Sequence, residues 1–411
     1  MKILQINTVC GSGSVGKITA DIYHTLKEQG EEGIVLYGRN NAPKEVNAVK
    51  IGSKWDFYFH ALSGVLFGIG GFGSKRMTKK LIQKIKEEQP DIIHLHNIHG
   101  FYLQVEQLFS YLKEAKIPVV WTLHDCWSFT GHCAYFDYVS CEKWKTGCAS
   151  CPQHKNVYPY SFMDYSKTSY KRKKSAFQGV KNLTIVTPSQ WLKNLVQESV
   201  LKEYPVEVIP NGIELKNFND VCDNTEQNDF RKKYGIEKKY MILGVANVWE
   251  KRKGMEYFLE LSKMLEDENR EINQKNAVIV LVGVSKKAKD KLPKNMIGIE
   301  RTNGAKELAG VYRTADVYVN ATLEDNFPTT NLEALACGTP VITFATGGST
   351  ESVDDSCGIV TKEKSAEGIY EALLELQKNP KKRKDCEKKG KEYDKTIRFL
   401  QYIQLYKELM K

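Results

Sequence analysis

The sequence lacks a long apolar segment, because no run of about 20 apolar residues is free of charge. We therefore expect no membrane-spanning helix. The apolar run that follows Met1 is too short for a secretion signal, and residues 2–9 are predicted to form a strand instead. Ten cysteines in a chain without such a signal predict thiols or metal ligands, not a disulfide scaffold.

Two signatures of phosphate chemistry are also missing. No Asp-any-Asp triplet occurs in the chain, which argues against a metal-bridged diphosphate site. The stretch Gly11–Lys17 nearly spells a P-loop, but Ile18 stands where that motif needs Ser or Thr to hold magnesium. A nucleotide triphosphatase is therefore disfavoured.

The composition is that of a globular protein, with 41% apolar and 27% charged residues. A length of 411 residues suits two domains of about 200 residues each. The net charge of +10 indicates an acidic partner, and a nucleotide diphosphate or an anionic membrane would fit. No nucleic-acid partner is expected, because the chain lacks the interleaved aromatic and basic pattern of a nucleic-acid module.

The most informative stretch runs from Thr322 to Glu351. An apolar run at residues 316–320 predicts a buried strand before it, residues 326–329 a tight turn, residues 330–336 a helix, and residues 341–344 the next strand. This is a strand–loop–helix–strand unit of a parallel sheet. The loop then lies at the carboxyl edge of a strand, where such sheets bind ligands.

The stretch also carries suitable chemistry. Free N–H groups at a helix start attract a phosphate. Glu333, one turn into the predicted helix, can accept hydrogen bonds from a ribose diol, and Asp325 in the loop can touch a hexose. The alternative is that both acids only cap and solvate a helix.

The run from Asp325 through Phe-Pro and Leu-Glu-Ala-Leu-Ala-Cys-Gly-Thr-Pro-Val-Ile resembles the signature of retaining glycosyltransferases of family 4, which have the GT-B fold. The resemblance implies that Asp325 contacts the donor sugar and Glu333 binds the ribose. The family more often has Glu-Gly at positions 325–326, and Glu324 is an alternative sugar contact. The backbone implied to hold the diphosphate belongs to Asn326, Phe327, Pro328, Thr329, Thr330 and Asn331.

A basic loop, residues 247–254, follows an apolar strand predicted at residues 240–246. The resemblance implies an arginine at the loop start and a lysine near its end, both neutralising the leaving diphosphate. Lys253 matches the lysine, but Asn247 stands at the arginine position, so Arg252 or Lys251 is expected to supply that charge. The alternative is a solvated turn.

The first half contributes a glycine-rich loop and a histidine. The resemblance implies that Gly13 and Gly16 let the backbone approach the donor diphosphate; the alternative is a plain strand-to-helix turn. A strand predicted at residues 118–123 ends in His124, which resembles the family's active-site histidine that touches the donor sugar. Asp125 is expected to orient its imidazole. The alternative is a core histidine bonded to backbone.

Two further histidines, His94 and His96, lie two residues apart on a buried strand and therefore share one face. We interpret them as pocket or core residues and not as a metal pair, because no acidic third ligand is near in the sequence.

Four cysteines follow the strand that ends at His124, with gaps of seven, six and two residues. The last gap is that of half a zinc knuckle, so the set predicts a closed structural zinc site. The alternative is free cysteines in a folded insertion, and no cofactor is required for catalysis. The four ligands would be Cys133, Cys141, Cys148 and Cys151, with His132 and His154 as alternative ligands for the more widely spaced first pair.

The segment from Trp55 to Gly73 carries six aromatic residues and five glycines. It is interpreted as a surface that rests on a membrane near a lipid-linked acceptor, as an acceptor-pocket lid, or as a helix pair buried in the domain. Basic stretches at residues 76–88 and 171–174 would strengthen membrane contact.

Together these features predict an α/β protein with the GT-B fold, two Rossmann-like doubly wound domains facing across a cleft. The boundaries are residues 1–212 for an acceptor-side domain with a Cys-rich insertion at 126–154, residues 213–390 for the nucleotide-sugar domain, and residues 391–411 for a helix that packs back on the first domain. The chemistry is implied by the resemblance, with His124, Asp325 and Lys253 as the catalytic residues.

The predicted activity is transfer of a hexose, with retention, from a nucleotide-diphosphate sugar to a glycan or lipid-linked acceptor in cell-surface polysaccharide synthesis. The predicted location is the cytoplasm, with peripheral contact to the inner leaflet of the membrane. Three alternatives are a nucleotide-sugar epimerase, a phosphorylase on the same fold, and a non-catalytic basic binding protein.

Overall fold

The computed structural model describes residues 1–68, 70–155, 157–219, 224–267, 271–272 and 275–411. The chain forms two compact units. The first comprises Met1–Pro210 together with Arg398–Lys411, and the second comprises Asn211–Ile397. The sequence had placed the boundaries at residues 212 and 390.

The first unit is built on a parallel sheet of seven strands in the order β3-β2-β1-β4-β5-β6-β7. Its inner strands β4 and β5 are buried along their whole length, as expected for strands covered by helices on both faces. The strands are β1 (Lys2–Val9), β2 (Glu32–Arg39), β3 (Ala48–Lys50), β4 (Ile92–Leu95), β5 (Val119–Thr122), β6 (Leu183–Thr187) and β7 (Val206–Val208).

Seven helices of the first unit precede residue 200. Helix α2 starts with a capping box, in which Ser53 and Asp56 bond each other's backbone N–H, and it ends at Gly68 in the left-handed conformation. The helices are α1 (Gly13–Glu28), α2 (Lys54–Phe67), α3 (Lys75–Glu88), α4 (Val105–Glu114), α5 (Lys143–Thr146), α6 (Ser166–Phe177) and α7 (Gln190–Glu198). A 3₁₀ turn spans Asp137–Val139.

The second unit has six parallel strands in the order β11-β10-β8-β12-β13-β14, and β9 pairs antiparallel with β10. Alternate residues of β8 enter two different cores: Met241 packs in one, and Ile242 packs in the other. Both faces of the sheet are therefore covered. The strands are β8 (Tyr240–Val245), β9 (Glu271–Ile272), β10 (Lys275–Val282), β11 (Met296–Ile299), β12 (Val317–Asn320), β13 (Val341–Phe344) and β14 (Gly358–Thr361).

The remaining helices belong to the second unit, apart from the end of the last one. They are α8 (Lys216–Asn219), α9 (Asn224–Lys233), α10 (Met255–Asp267), α11 (Lys286–Lys289), α12 (Ala305–Thr314), α13 (Thr329–Ala336), α14 (Ala366–Lys378), α15 (Arg383–Lys391) and α16 (Lys395–Leu409). Two 3₁₀ turns span Lys251–Lys253 and Ser349–Ser352.

The end of α16 is part of the first unit. Phe399, Tyr402 and Tyr406 are buried in one cluster with residues of β1, α1 and β5.

Among the helices of the described ranges, none is both long and apolar enough to cross a bilayer. The predicted class, two Rossmann-like doubly wound domains, is confirmed.

Candidate functional site

The second unit brings a helix start to the carboxyl edge of its sheet. Strand β12 ends at Asn320, and the loop that follows leads into α13, which begins at Thr329, one residue earlier than predicted. The backbone N–H of Asn331 is already bonded to Pro328 O at 3.2 Å. The first N–H groups of a helix have no partner within the helix, and a helix start is therefore the arrangement that attracts an anion.

Two cations of the basic loop meet Asp325 beside this helix start. The Nζ atom of Lys253 lies 2.6 Å from Asp325 Oδ2, and Nη1 of Arg252 lies 3.5 Å from the same oxygen. Arg252 also donates to Glu324 O at 2.6 Å. Of the two cations proposed from the sequence to replace the arginine, Arg252 contacts Asp325 and Lys251 is exposed, and the role of Arg252 toward a diphosphate stays a prediction.

Asn247, at the position where the family has arginine, is exposed to solvent after β8. The structure brings Lys253 and Arg252 to Asp325 but leaves Asn247 at the surface. Its predicted contact with the donor stays a prediction.

The electrostatics of Asp325 keep it ionised. Burial raises the pKa of its carboxyl, but the charges of Lys253 and Arg252 and a hydrogen bond from Lys253 outweigh that effect and leave the pKa below its usual value. Its side chain keeps 18% of its surface exposed, whereas Glu324 is fully buried. The exposure of Asp325 favours it over Glu324 as the sugar contact, and that contact stays a prediction.

Glu333 lies one turn into α13, where the sequence placed it. Its Oε2 accepts a hydrogen bond from the hydroxyl of Tyr312 at 3.1 Å. Tyr312 is completely buried in the core of the unit, so its hydroxyl holds the carboxylate from the core side. The side chain of Glu333 stays partly exposed. Sequence reasoning missed Tyr312, which lies 21 residues earlier in the chain.

The side chain of Asn331 has a structural role that the sequence did not predict. Its Nδ2 donates to Ser349 O at 3.1 Å and to Ser352 Oγ at 3.2 Å, and its Oδ1 accepts from Asn320 at 2.8 Å. The fully buried amide thus ties α13 to the end of β12 and to the 3₁₀ turn.

Two glycines hold the site loops in close contact. Gly254, with φ +72°, would place a Cβ 2.1 Å from Ala321 O. Gly347, with φ +53°, would place one 2.0 Å from Asp325 O, and the next residue, Gly348, donates its N–H to that oxygen at 3.0 Å. Only glycine fits at either position.

The first unit has a pocket at the carboxyl end of β1. The predicted glycines line it: Gly13 begins α1 with φ +66°, and Gly16 O accepts from Gly11 N at 2.8 Å inside the turn. Sequence reasoning missed two other lining side chains, Arg39 and Tyr158. Arg39 adds a positive charge to the helix start, which favours an anionic ligand here.

His124 follows β5 and is oriented by another histidine. Its Nε2 lies 3.1 Å from Nδ1 of His96, and Nε2 of His96 lies 3.0 Å from Gln5 Oε1. Burial lowers the pKa of His124 to about 4, so its ring is neutral near pH 7.

The expectation that Asp125 orients His124 was wrong. The Asp125 carboxylate lies 2.9 Å from Nε2 of His99 and accepts from Trp127 N at 2.9 Å. Consecutive side chains after a strand leave in different directions, so a neighbour in sequence is a poor partner for His124.

His94 and His96 share a face, as predicted, with ring centroids 4.0 Å apart. His94 is bonded to Thr122 Oγ1 at 2.8 Å and to the hydroxyl of Tyr406 at 2.6 Å. Both histidines are buried, which agrees with a core or pocket role.

The cysteine-rich insertion places its thiols near one another. Cys133 and Cys151 share a hydrogen bond, which lowers the pKa of the Cys151 thiol to about 7, and Gly131 N donates to Cys148 Sγ at 3.0 Å. Within the described residues, no group of three or more potential ligands is arranged to hold a metal ion. The zinc site stays a prediction, which elemental analysis of protein purified without added metal would test.

Two family models match the chain. Glycosyltransferase Family 4 matches residues 15–217, and Glycosyl transferases group 1 matches residues 226–393. The chain therefore belongs to the glycosyltransferases, with a family 4 domain ahead of a group 1 domain.

Two curated relatives are each 27% identical to the chain. The WcaC protein of Escherichia coli K12, named for glycosyl transfer in colanic acid biosynthesis, aligns over 52% of the chain and 55% of its own length. The N,N'-diacetylbacillosaminyl-diphospho-undecaprenol alpha-1,3-N-acetylgalactosaminyltransferase of Campylobacter jejuni aligns over 51% and 56%. The chain thus spans about half the length of the relatives it matches.

Solved structures share the fold over the whole chain. Sucrose-phosphate synthase from Thermosynechococcus elongatus has a TM-score of 0.71 at 15% identity, covering 99% of this chain and 98% of that one. Anabaena Alr3699/HepE in complex with UDP-glucose has a TM-score of 0.65 at 12% identity, covering 99% and 100%. At these identities the likeness concerns the fold alone, and it agrees with the predicted GT-B class.

Proposed function

We propose that the protein transfers a hexose, with retention, from a nucleotide-diphosphate sugar to a hydroxyl of a glycan or lipid-linked acceptor in cell-surface polysaccharide synthesis. The observation that carries this proposal is the meeting of Lys253 and Arg252 with Asp325 beside the start of α13. Fixed cations and a helix N-terminus form a site for a diphosphate, and a reachable carboxylate next to it forms a site for sugar hydroxyls.

The same groups support the chemical step. The bond between the anomeric carbon and the phosphate oxygen breaks, the acceptor oxygen bonds to that carbon from the same face, and the acceptor proton passes to the departing phosphate oxygen. Lys253, Arg252 and the helix N–H groups stabilise the charge that gathers on the diphosphate. Glu333, held by Tyr312, binds the ribose diol.

Three names among the similar proteins support the substrate classes. Alr3699/HepE was solved with UDP-glucose, a nucleotide-diphosphate hexose. The Campylobacter relative is named for an acceptor linked to undecaprenol through a diphosphate, and WcaC is named for the biosynthesis of colanic acid. The Campylobacter name supports a lipid-linked acceptor, and the WcaC name supports a role in polysaccharide synthesis.

A thermal-shift panel of UDP-, GDP- and ADP-sugars tests the donor site. One donor series is expected to raise the melting temperature of the wild type and of Glu371→Ala, which removes an exposed carboxylate in α14 of the same unit. Glu333→Ala is expected to lose the shift, because the ribose diol loses its acceptor. If no nucleotide sugar stabilises the wild type, the donor assignment is wrong.

The products distinguish the rival activities. Transfer yields a nucleoside diphosphate only in step with a glycosylated acceptor, whereas a hydrolysing epimerase acting on UDP-sugars would release UDP and the free epimeric sugar with water in place of any acceptor. A binding protein would show neither, and Glu333→Ala would leave its ligand affinity intact. The anomeric configuration of the product, read by NMR, decides between retention and inversion.

We also propose that the enzyme is cytoplasmic and contacts the inner leaflet through α2. This helix exposes its large apolar side chains: Trp55 is 82% and Phe59 77% exposed. A neighbouring loop extends the apolar surface, because Phe162, 72% exposed, donates its N–H to Val65 O of α2 at 2.8 Å. Such exposure on one short helix disfavours the reading of the segment as a helix pair buried in the domain.

Basic residues flank this surface. Arg76 and Lys80 of α3 are exposed and close enough to Asp56 of α2 to lower its pKa, after the larger effect of the hydrogen bonds from Ser53. Apolar side chains beside exposed cations fit an anionic bilayer.

Vesicle sedimentation tests the membrane contact. Wild type is expected to pellet with vesicles that contain anionic lipid and to stay in solution with neutral ones. Trp55→Ser with Phe59→Ser is expected to abolish pelleting, whereas Ile397→Ser, which removes a 53% exposed apolar side chain elsewhere, is expected to have no effect. Equal pelleting of both variants would contradict the assignment of α2.

A further inference from the structure

The hydrogen bonds around His124 define where its proton lies. We infer that Gln5, acting through His96, keeps the His124 proton on Nε2, so that Nδ1 is a hydrogen-bond acceptor for a substrate hydroxyl. Gln5 and His96 are then positioning residues, and the inference rests on the proposed function only for the identity of the hydroxyl.

A backbone carbonyl of α1 orients the side-chain amide of Gln5. Gln5 Nε2 donates to Thr19 O of α1 at 3.1 Å. A carbonyl oxygen only accepts, so the amide nitrogen must face Thr19 and the amide oxygen must face His96. The side chain of Gln5 is completely buried, and no water-exposed orientation competes.

The next step fixes the proton of His96. Its Nε2 lies 3.0 Å from Gln5 Oε1, and an amide oxygen can only accept, so Nε2 of His96 carries a proton. Burial lowers the pKa of His96 well below its usual value, so the ring is neutral and has only that one proton. Nδ1 of His96 therefore carries no proton and can only accept a hydrogen bond.

The unprotonated Nδ1 of His96 in turn determines which ring nitrogen of His124 carries a proton. Its Nε2 lies 3.1 Å from Nδ1 of His96 and must donate, since that nitrogen can only accept. His124 is also neutral, so its Nδ1 carries no proton. In the described part of the chain no protein group bonds to Nδ1, and the residue is partly exposed at the carboxyl end of β5.

This tautomer determines which substrate groups can form a hydrogen bond with Nδ1 of His124. A bare Nδ1 accepts a hydrogen bond from a sugar hydroxyl, whereas it cannot donate to a phosphate oxygen. His124 therefore accepts a hydrogen bond from a substrate hydroxyl and does not neutralise the leaving group. The roles of His124 and Lys253 are separate.

Nitrogen NMR of protein labelled with ¹⁵N-histidine tests the tautomer directly, with the His124 signals assigned by their loss in His124→Ala. Wild type is expected to show a protonated Nε2 and a bare Nδ1 at His124. Gln5→Met is expected to give a mixture of tautomers, because nothing then requires a proton on His96 Nε2. The reverse tautomer in wild type would overturn the inference whether or not the protein transfers sugar.

Turnover gives the second measurement. Gln5→Met is expected to lower kcat about tenfold, the equivalent of one misplaced hydrogen bond, with the donor KM changed less than about twofold. His96→Asn keeps an acceptor oxygen toward His124 and is expected to retain more activity than His96→Leu. Equal losses in both His96 variants, with an unchanged tautomer, would show a purely structural role.

Thr122→Val is the matched control. It is nearly isosteric, lies two residues from His124, and removes the bonds of Thr122 to His94 and to Tyr402 at 3.2 Å. Those bonds are not on the path from Gln5, so the tautomer of His124 is expected to stay as in wild type. A changed tautomer in Thr122→Val would contradict the proposed path.

Discussion

Lys253 and Asp325 form an ion pair that the proposed donor diphosphate would have to disturb. The two charged atoms are 2.6 Å apart, and the side chains keep only 25% and 18% of their surface exposed. Replacing Lys253 by Met keeps the length of the side chain and removes its charge. Replacing Asp325 by Asn keeps the shape and removes the charge that competes with the donor for Lys253. The two substitutions should therefore change nucleotide affinity in opposite directions.

The expected changes in nucleotide affinity follow from the distance between the two charges. Two unit charges 2.6 Å apart attract by about 6 kcal/mol at an effective dielectric constant of about 20, before desolvation takes back several kcal/mol. A net competition of about 1–2 kcal/mol remains, so Asp325→Asn should tighten binding of a nucleoside diphosphate roughly tenfold. Lys253→Met should weaken it and lower kcat by about 10²–10³, the usual cost of losing one preorganised charge at a leaving group.

Calorimetric titration with UDP, GDP and ADP measures the affinities, and product formation with the donor that binds measures kcat. Asp325→Asn is expected to bind the nucleoside diphosphate more tightly than wild type and to turn over more slowly, because a sugar contact is lost. Lys251→Met is the control, since Lys251 belongs to the same turn but is exposed. Weaker nucleotide binding by Asp325→Asn would refute the reasoning.

Three further predictions concern stability. Gly347→Ala should lower the unfolding free energy by about 2–4 kcal/mol, because its Cβ would meet Asp325 O, whereas Gly235→Ala, with φ +62° and open space around it, should cost only about 1 kcal/mol; thermal melts compare them. Asn331→Leu should cost about 2–4 kcal/mol in urea titrations, since it leaves three buried polar partners unmet. Burial lowers the folded pKa of four histidines of the first unit below the ordinary 6.5, so their stabilising contribution is complete above that pH and is lost progressively as the pH falls below it. Each then costs about 1.4 kcal/mol per pH unit, and His94→Gln should reduce the measured slope by one proton. These histidines are His94, His96, His124 and His132.

The fold was predictable because short stretches of sequence are enough to mark its strands and helices. Short apolar runs that end at Gly, Pro or polar loops mark buried parallel strands, and strands β12 and β13 lie within one residue of where these runs placed them. The start of α13 was predictable for the same reason. The roles of Asp325 and Lys253 came from the resemblance to a family, and their contact 72 residues apart in sequence agrees with it.

The contacts that fix the functional side chains were not predictable, because they depend on strand register and on packing. Gln5 reaches His96 only since β1 pairs with β4 in the register Gln5 opposite His94. Tyr312 reaches Glu333 only since α12 and α13 pack together in the same core. A pattern along one strand shows which face a residue takes, but not which residue lies opposite it.

For the proposed sugar transfer, the pairing of Lys253 with Asp325 suits catalysis better than an unpaired lysine would. In the resting enzyme the carboxylate holds the lysine in place and reduces its attraction for the intact donor. When the glycosidic bond breaks, the diphosphate gains one negative charge, and the attraction of Lys253 and Arg252 for it rises while their attraction for Asp325 does not change. The cations thus stabilise the transition state more than the bound donor, and interactions of that kind raise kcat.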